Sequence, residues 1–175
     1  EGASFLRDDV FLVHLPLFHI YGLEVLMNAV IHVGATQVLM GRFDIELFLN
    51  LVSQHRVTQL YTVPPVGLGL TQYPGVSQVD LTSLRLGFLV AAPCSQDLQD
   101  RVSQVLNCPA IQAYGMMELS TVANIHFMEP YRFRSGAVGP VIADTEERVV
   151  DLEDGTTELP LGEVGELLVR GPQVM

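Results

Sequence analysis

Two rhythms of apolar residues alternate along the chain: short unbroken apolar runs, and longer stretches in which apolar side chains return every three or four positions. The first rhythm marks buried strands and the second marks helices with one face turned inward. Phe11 to Leu15 reads as a strand, and Ile20 to His32 as the helix that follows it. Thr36 to Met40 is a second strand. Asp44 then stands as a helix N-cap, with Ile45, Phe48, Leu49 and Val52 at i, i+3, i+4 and i+7 behind it. Val57 to Val63 is a third strand, halted by Pro64-Pro65, and Leu84 to Ala91 is a fourth. Ser95 caps a helix whose Leu98, Val102 and Leu106 point inward, and Ala110 to Ala113 makes a fifth, short strand. Strands alternating with helices predict an α/β fold, a layered sheet flanked by helices.

The pattern changes near Pro130. Helical periodicity fades, and short strands, Glu147 to Asp151 and Glu166 to Arg170, are separated by Gly and Pro punctuation. A turn at Asp154-Gly155 suits a hairpin between them. Residues 1–129 therefore read as an α/β subdomain and residues 130–175 as the start of a β-rich one, with no repeat or low-complexity tract.

Charge narrows the partners. The net charge of −11 comes from 20 acidic residues against 9 basic ones, all of them arginine, so neither nucleic acid nor an anionic membrane is an expected partner. The longest apolar stretch, Gly22 to Val33, is interrupted by Glu24, Asn28 and His32 and is too short to span a bilayer. No charged leader opens the sequence, and Cys94 and Cys108 have neither metal-site nor redox spacing. A soluble protein of a reducing, cytoplasmic compartment is expected. Gly67-Leu68-Gly69 lacks the third glycine of a dinucleotide fingerprint and follows two prolines. That argues against an oxidoreductase of similar layering.

The candidate chemistry begins at Gln112-Ala113-Tyr114-Gly115-Met116-Met117-Glu118, where an apolar strand breaks at a glycine and a lone carboxylate follows. Gly115 lets backbone approach a flat ring or a phosphate, Tyr114 offers an aromatic face, and Glu118 carries hard oxygens suited to Mg²⁺. Four other runs accompany it in order: Leu15-Pro16-Leu17-Phe18-His19-Ile20-Tyr21-Gly22, Ala91-Ala92-Pro93, Ser135-Gly136-Ala137-Val138-Gly139, and Gly162-Glu163-Val164-Gly165-Glu166-Leu167-Leu168-Val169-Arg170-Gly171. With these five runs the chain resembles the acyl-adenylating (AMP-binding) superfamily, and within it the 4-coumarate:CoA ligase and acyl-CoA synthetase branch.

The resemblance implies an ATP-dependent carboxylic acid:CoA ligase, using ATP, Mg²⁺ and CoA to form an acyl-adenylate and then a thioester. It implies that Gln112, Ala113, Tyr114, Gly115 and Met117 hold the adenylate, that Glu118 ligates Mg²⁺, and that His19 lies beside the reacting carboxylate. Ile20, Tyr21, Val25, Phe88, Ala91, Gly115 and Val122 would line the acid pocket. They are apolar or small apart from the Tyr21 hydroxyl, which suits an aryl or short-to-medium acyl acid. It also implies that this chain is an internal piece of a large domain, in a parent roughly three times longer. A phosphate loop with its lysine would precede it. A ribose-binding aspartate, a hinge and a mobile domain with a catalytic lysine would follow. With no lysine of its own, the isolated chain is expected to be inactive.

Two positions depart from the family. Met117 stands where threonine is usual, and a thioether cannot donate a hydrogen bond to phosphate. Val90 stands where glycine often precedes the two alanines. Met117 and the missing phosphate loop motivate the competing expectation of a non-catalytic binding or scaffold module that keeps the adenylate-forming fold.

Overall fold

The computed structural model describes residues 5–126 and 133–175. Its centre is a six-stranded sheet of β1 (Val10–Val13), β2 (Thr36–Leu39), β3 (Gln59–Thr62), β4 (Leu86–Leu89), β5 (Ala110–Tyr114) and β6 (Asn124–Ile125), in the order β2-β1-β3-β4-β5-β6. The first five run parallel and β6 is antiparallel to β5. Parallel neighbours require crossovers, and the helices supply them. α1 winds as a π-helix over Tyr21–Ala29 and continues as a regular turn over Val30–Val33. α2 (Ile45–Gln54), α3 (Pro64–Gln72) and α4 (Gln96–Leu106) follow.

Both expected caps are present. Asp44 accepts from the Leu47 N–H at 2.9 Å, and the Ser95 hydroxyl accepts from the Leu98 N–H at 3.2 Å. Pro64-Pro65 ends β3 as expected, but it also opens α3, a helix the sequence reading does not assign. Proline suits the first helical turn because its missing N–H has no intrahelical partner to lose. Gly67 lies inside that helix, where a Cβ would come within 2.8 Å of Leu89. Its role is close helix-to-strand packing.

Strand parity sorts the core into two faces. Leu12, Leu60, Leu89 and Ala110 pack against Phe48, Leu49 and Val52 of α2, Leu70 of α3, and Val102 and Leu106 of α4. On the other face Phe11, Val13, Tyr61, Leu86, Phe88 and Ile111 meet Tyr21, Leu26 and Val30 of α1, with Phe5 edge-on to Phe11 and Tyr61. The amino ends of the strands are tied by Asp9, which is 3% exposed. It accepts from the Leu6 N–H, the Thr58 hydroxyl, the Gln59 amide and two nitrogens of Arg85, the shortest at 2.6 Å. Burial pushes the Asp9 carboxyl up, but Arg85 and the other donors outweigh it and hold the group below its ordinary value.

The proposed boundary at residues 129 and 130 lies outside the described residues. On its far side, residues 133–142 still dock on the α/β layer. The Gly136 N–H donates to Gln99 Oε1 at 2.8 Å, Ser135 donates to Asp100, and the Ile142 N–H donates to the Ala123 carbonyl at 2.8 Å. The Ser135 to Gly139 run is thus a staple onto α4 and β6. β7 (Glu146–Val150) and β8 (Glu166–Arg170) then form a separate antiparallel pair. The Asp154-Gly155 turn is present, with Asp154 accepting from the N–H groups of Thr156 and Thr157, both at 2.8 Å. It does not join β7 to β8 directly: it returns the chain to Leu159, whose N–H donates to Val149, before β8 adds on. Among the described residues no helix is long and apolar enough to cross a membrane.

Candidate functional site

The α1 face of the sheet is not filled. Between α1 and the carboxyl halves of β3, β4 and β5 lies a cavity of about 1000 Å³. Its floor is Tyr61 stacked on Phe88, ring centroids 4.0 Å apart. Its wall is α1, which presents Ile20 and Tyr21, then Glu24 and Val25, then Asn28 and Ala29, then His32 and Val33. Its rim is built from Val90-Ala91 after β4 and from the turns after β5.

Of the residues expected at the site, ten line this one cavity: His19, Ile20, Tyr21, Val25, Phe88, Ala91, Ala113, Gly115, Met117 and Val122. Gln112, Tyr114 and Glu118 do not. Strand parity explains the first two. Ile111 and Ala113 face α1, so Gln112 and Tyr114 face α4. The Gln112 amide donates to Gln99 Oε1 at 2.7 Å, and Gln99 in turn donates to the Ala110 carbonyl. Gln112 is therefore a buried structural amide, and its side chain is not offered to a ligand. Glu118 is exposed on the short 3₁₀ turn Met117–Leu119, just outside the rim.

Glycine 115 serves the chain before any ligand. A Cβ there would overlap the Thr121 carbonyl oxygen, so the close approach is between two strands of the same turn. The strain sits opposite. Thr121 has φ 115°, Ser120 φ 46° and Ala91 φ 72°, and all three line the cavity. A β-branched residue at positive φ is uncommon and costly, and such strain concentrates at functional sites. The glycine-like position of the Ala91-Ala92-Pro93 run is thus Ala91, not Val90, which packs in the ordinary way against the α1-side core.

His19 is exposed at the start of α1. Its Nδ1 accepts from the Tyr21 N–H at 3.2 Å, so the neutral ring carries its proton on Nε2. Tyr21, by contrast, is 5% exposed, and its hydroxyl donates to the Thr62 carbonyl at 3.4 Å. Burial raises its pKa well above the ordinary value, so it is a neutral wall residue. His14 sits edge-on to Phe48 and meets the Thr62 hydroxyl at 3.1 Å. Burial pushes it down to about 4. Cys108 is pushed up to about 11 by burial and Cys94 is also raised, which leaves neither as a ready nucleophile.

Among the described residues no three His, Cys, Asp or Glu side chains gather as a metal cage. One exposed carboxylate at a cavity rim nevertheless suits Mg²⁺, which keeps most of its waters and takes one or two protein oxygens beside substrate phosphates. Sequence reasoning missed Tyr61, Ser120, Thr121, and the polar row Glu24, Asn28 and His32. The row was visible as the interruptions of the apolar stretch, spaced four apart.

Known proteins place the chain. The model of the AMP-binding enzyme family matches residues 1–175. The chain is 37% identical over 175 residues to 4-coumarate--CoA ligase 3 of Oryza sativa subsp. japonica, covering 98% of this chain and 31% of that protein. It is 38% identical over 177 residues to 4-coumarate--CoA ligase 4 of Arabidopsis thaliana, covering 99% and 31%. The structure of ATP-bound MatB from Rhodopseudomonas palustris superposes with a TM-score of 0.84 at 31% identity, covering 97% of this chain and 33% of that one. The chain thus spans about a third of the length of the curated relatives it matches. Ordered strands, a cavity at their carboxyl ends and a match along every residue lead to one assignment: the chain belongs to the AMP-binding enzyme family.

Proposed function

We propose that this chain is the acid-binding and adenylate-facing part of an ATP-dependent carboxylic acid:CoA ligase. The observation that carries the reading is the cavity itself, with an aromatic floor, a wall that mixes apolar residues with Glu24, Asn28 and His32, His19 at one end, and the strained rim of Ala91, Ser120 and Thr121 beside Glu118. An acid would enter tail first, its apolar body against Tyr61 and Phe88 and its carboxylate near His19. The Nε2–H of His19 can donate to that carboxylate and hold one oxygen toward the rim. ATP, as co-substrate, would lie across the rim with its adenine between the Ala91-Ala92-Pro93 and Ala113 to Gly115 segments, backbone and Tyr114 included.

Glu118 would hold Mg²⁺ through one oxygen, with water and phosphate completing the shell. The ion would screen the phosphates and stabilise charge developing at phosphorus. The carboxylate oxygen attacks the α-phosphorus and pyrophosphate leaves. The CoA thiol, as thiolate, then attacks the acyl carbon and AMP departs, leaving the thioester. Met117 lines the cavity without a donor, but Ser120 and Thr121 line it too, and their hydroxyls would supply donors to phosphate in its place.

The aromatic floor of Tyr61 and Phe88 favours an aryl or short-to-medium acyl acid. The acyl acceptor is CoA, by analogy with the ligases named above, and the parent is cytoplasmic. The subdomain break lies between residues 142 and 146, because residues 135–142 hydrogen-bond to the α/β layer and the separate β7–β8 pair starts at Glu146. The isolated chain is inactive, because the lysine-bearing segments that complete catalysis lie in the rest of the parent. The test is acid-dependent exchange of pyrophosphate into ATP by the full-length parent over a panel of aryl and aliphatic acids. Exchange with at least one acid is expected, and silence across the panel overturns the reading. Met117 keeps the scaffold reading in play. If Met117→Thr raises exchange from nothing, the natural protein is a binding module.

A further inference from the structure

Resting on the reading that places His19 beside the reacting carboxylate, we infer that His14 is a positioning residue, which fixes the His19 ring through Thr62 and Tyr21 from the opposite face of the sheet. The path is continuous. On the α2 face, His14 Nε2 lies 3.1 Å from the Thr62 hydroxyl. On the α1 face the Tyr21 hydroxyl donates to the Thr62 carbonyl at 3.4 Å, and the Tyr21 N–H donates to His19 Nδ1 at 3.2 Å. Thr62, 1% exposed, is the joint between the two faces.

The place explains the need for such a joint. β3 registers four residue pairs with β4 but only Phe11 with Gln59 on the β1 side, so the carboxyl ends of β1 and β3 carry no ladder pair. The crossovers change face at the same seam, with α1 after β1 on one side and α2 after β2 on the other, and such a split is where an open α/β sheet takes ligands. From β4, the Val90 N–H donates to the Thr62 carbonyl at 3.2 Å. Toward β1, Thr62 is tied by the His14 contact, and a buried hydroxyl demands a partner. Without that tie Thr62 can shift, and the Tyr21 hydroxyl contact, the longest of the three, is the first to go. The His19 ring is then free to turn, and a misplacement of about 1 Å can cost on the order of 100-fold in rate.

The plainer account makes His14 a packing residue, edge-on to Phe48 with ring centroids 5.0 Å apart. Two substitutions separate the accounts. His14→Gln loses the ring but keeps a polar atom at the reach of Nε2, whereas His14→Phe keeps a ring and loses the hydrogen bond. Thr62→Val removes the hydroxyl at nearly equal volume.

The experiment uses the full-length parent with the acids of the exchange panel. In ATP–pyrophosphate exchange, His14→Phe and Thr62→Val are expected to lower kcat about tenfold with KM for the acid within about twofold, while His14→Gln stays within about twofold of wild type in both. A packing role predicts the reverse order, with His14→Gln the slower enzyme. A second readout needs no turnover: NMR of ¹⁵N-labelled histidine rings, the His19 signal identified by its loss in His19→Gln. The His19 Nδ1 resonance should hold in His14→Gln and move toward that of a free imidazole in His14→Phe and Thr62→Val. Unchanged kcat in those two variants, or a His14→Gln as slow as His14→Phe, overturns the inference even when exchange is robust. If no acid supports exchange, the ligase reading falls and the ring resonances decide alone. A His19 resonance indifferent to Thr62→Val overturns the inference in either case.

Discussion

The two ends of the central sheet handle their side chains in opposite ways. At the amino ends, Asp9, Thr58, Gln59 and Arg85 spend their polar groups on one another, and the chain is locked by side chains. At the carboxyl ends the lock is backbone: Gly115 lies against the Thr121 carbonyl, and Ala91, Ser120 and Thr121 are held at positive φ. Polar residues there stay at the surface: His19 and Glu118 are exposed, and Ser120 and Thr121 line the cavity. Open α/β sheets bind ligands at their carboxyl ends. This molecule shows one physical reason, since rigidity held in backbone strain leaves His19 Nε2 and the Glu118 carboxylate facing outward.

Substitutions at the two ends should therefore fail differently. The largest effect is expected from Gly115→Ala, whose Cβ has no room beside Thr121; unfolding in urea should show a loss of about 3 kcal/mol. Glu118→Gln should leave stability within about 0.5 kcal/mol, yet lower acid-dependent exchange by the full-length parent on the order of 10²-fold. Asp9→Asn should do the reverse, costing about 2–3 kcal/mol with unaltered acid affinity. That is less than a fully buried pair would lose, because Arg85 is 38% exposed.

Titration should separate the ends as well. Burial lowers the folded-state pKa of His14, at the carboxyl end of β1, so the unfolded chain binds its proton first. Its stabilising contribution is complete above about 6.5 and is lost as pH falls toward about 4. The Asp9 contribution is held down in the fold, so it persists to below about 4 and then disappears as the carboxylate protonates. Chemical denaturation across pH should show two separate steps, the upper one missing in His14→Phe and the lower one missing in Asp9→Asn. The smallest effect belongs to Ala91→Gly, which relieves a left-handed alanine and should raise stability by up to about 1 kcal/mol. Unchanged or lower melting would show that the strain at the rim is not real.

What could be read from sequence follows the range of the forces involved. Asp44 and Ser95 were legible because a cap acts three residues away, and β1, β3 and β4 because they are buried almost throughout, whereas the edge strand β2 is only half-buried at best. The Asp9–Arg85 pair joins positions 76 apart and has no local signature. α3 is hidden because proline both ends a strand and begins a helix, and a proline pair after an apolar run marks the first role more plainly than the second. Gln112 was misdirected for a different reason. The motif supplies its neighbourhood, but only strand parity tells which side of the sheet it faces.

The π-helical stretch Tyr21–Ala29 carries a consequence for how this pocket can change. Residues that repeat every four positions would drift about 40° per step around an ordinary helix of 3.6 residues per turn. The wider π winding, roughly 4.4 residues per turn, turns that drift the other way by roughly 30° per step, so the cavity wall depends on pitch as well as on composition. Single substitutions can adjust it one rung at a time. Loss of one residue from this stretch would tighten the coil and swing the whole row away together, making the length of this helix as heritable a part of the pocket as any side chain in it.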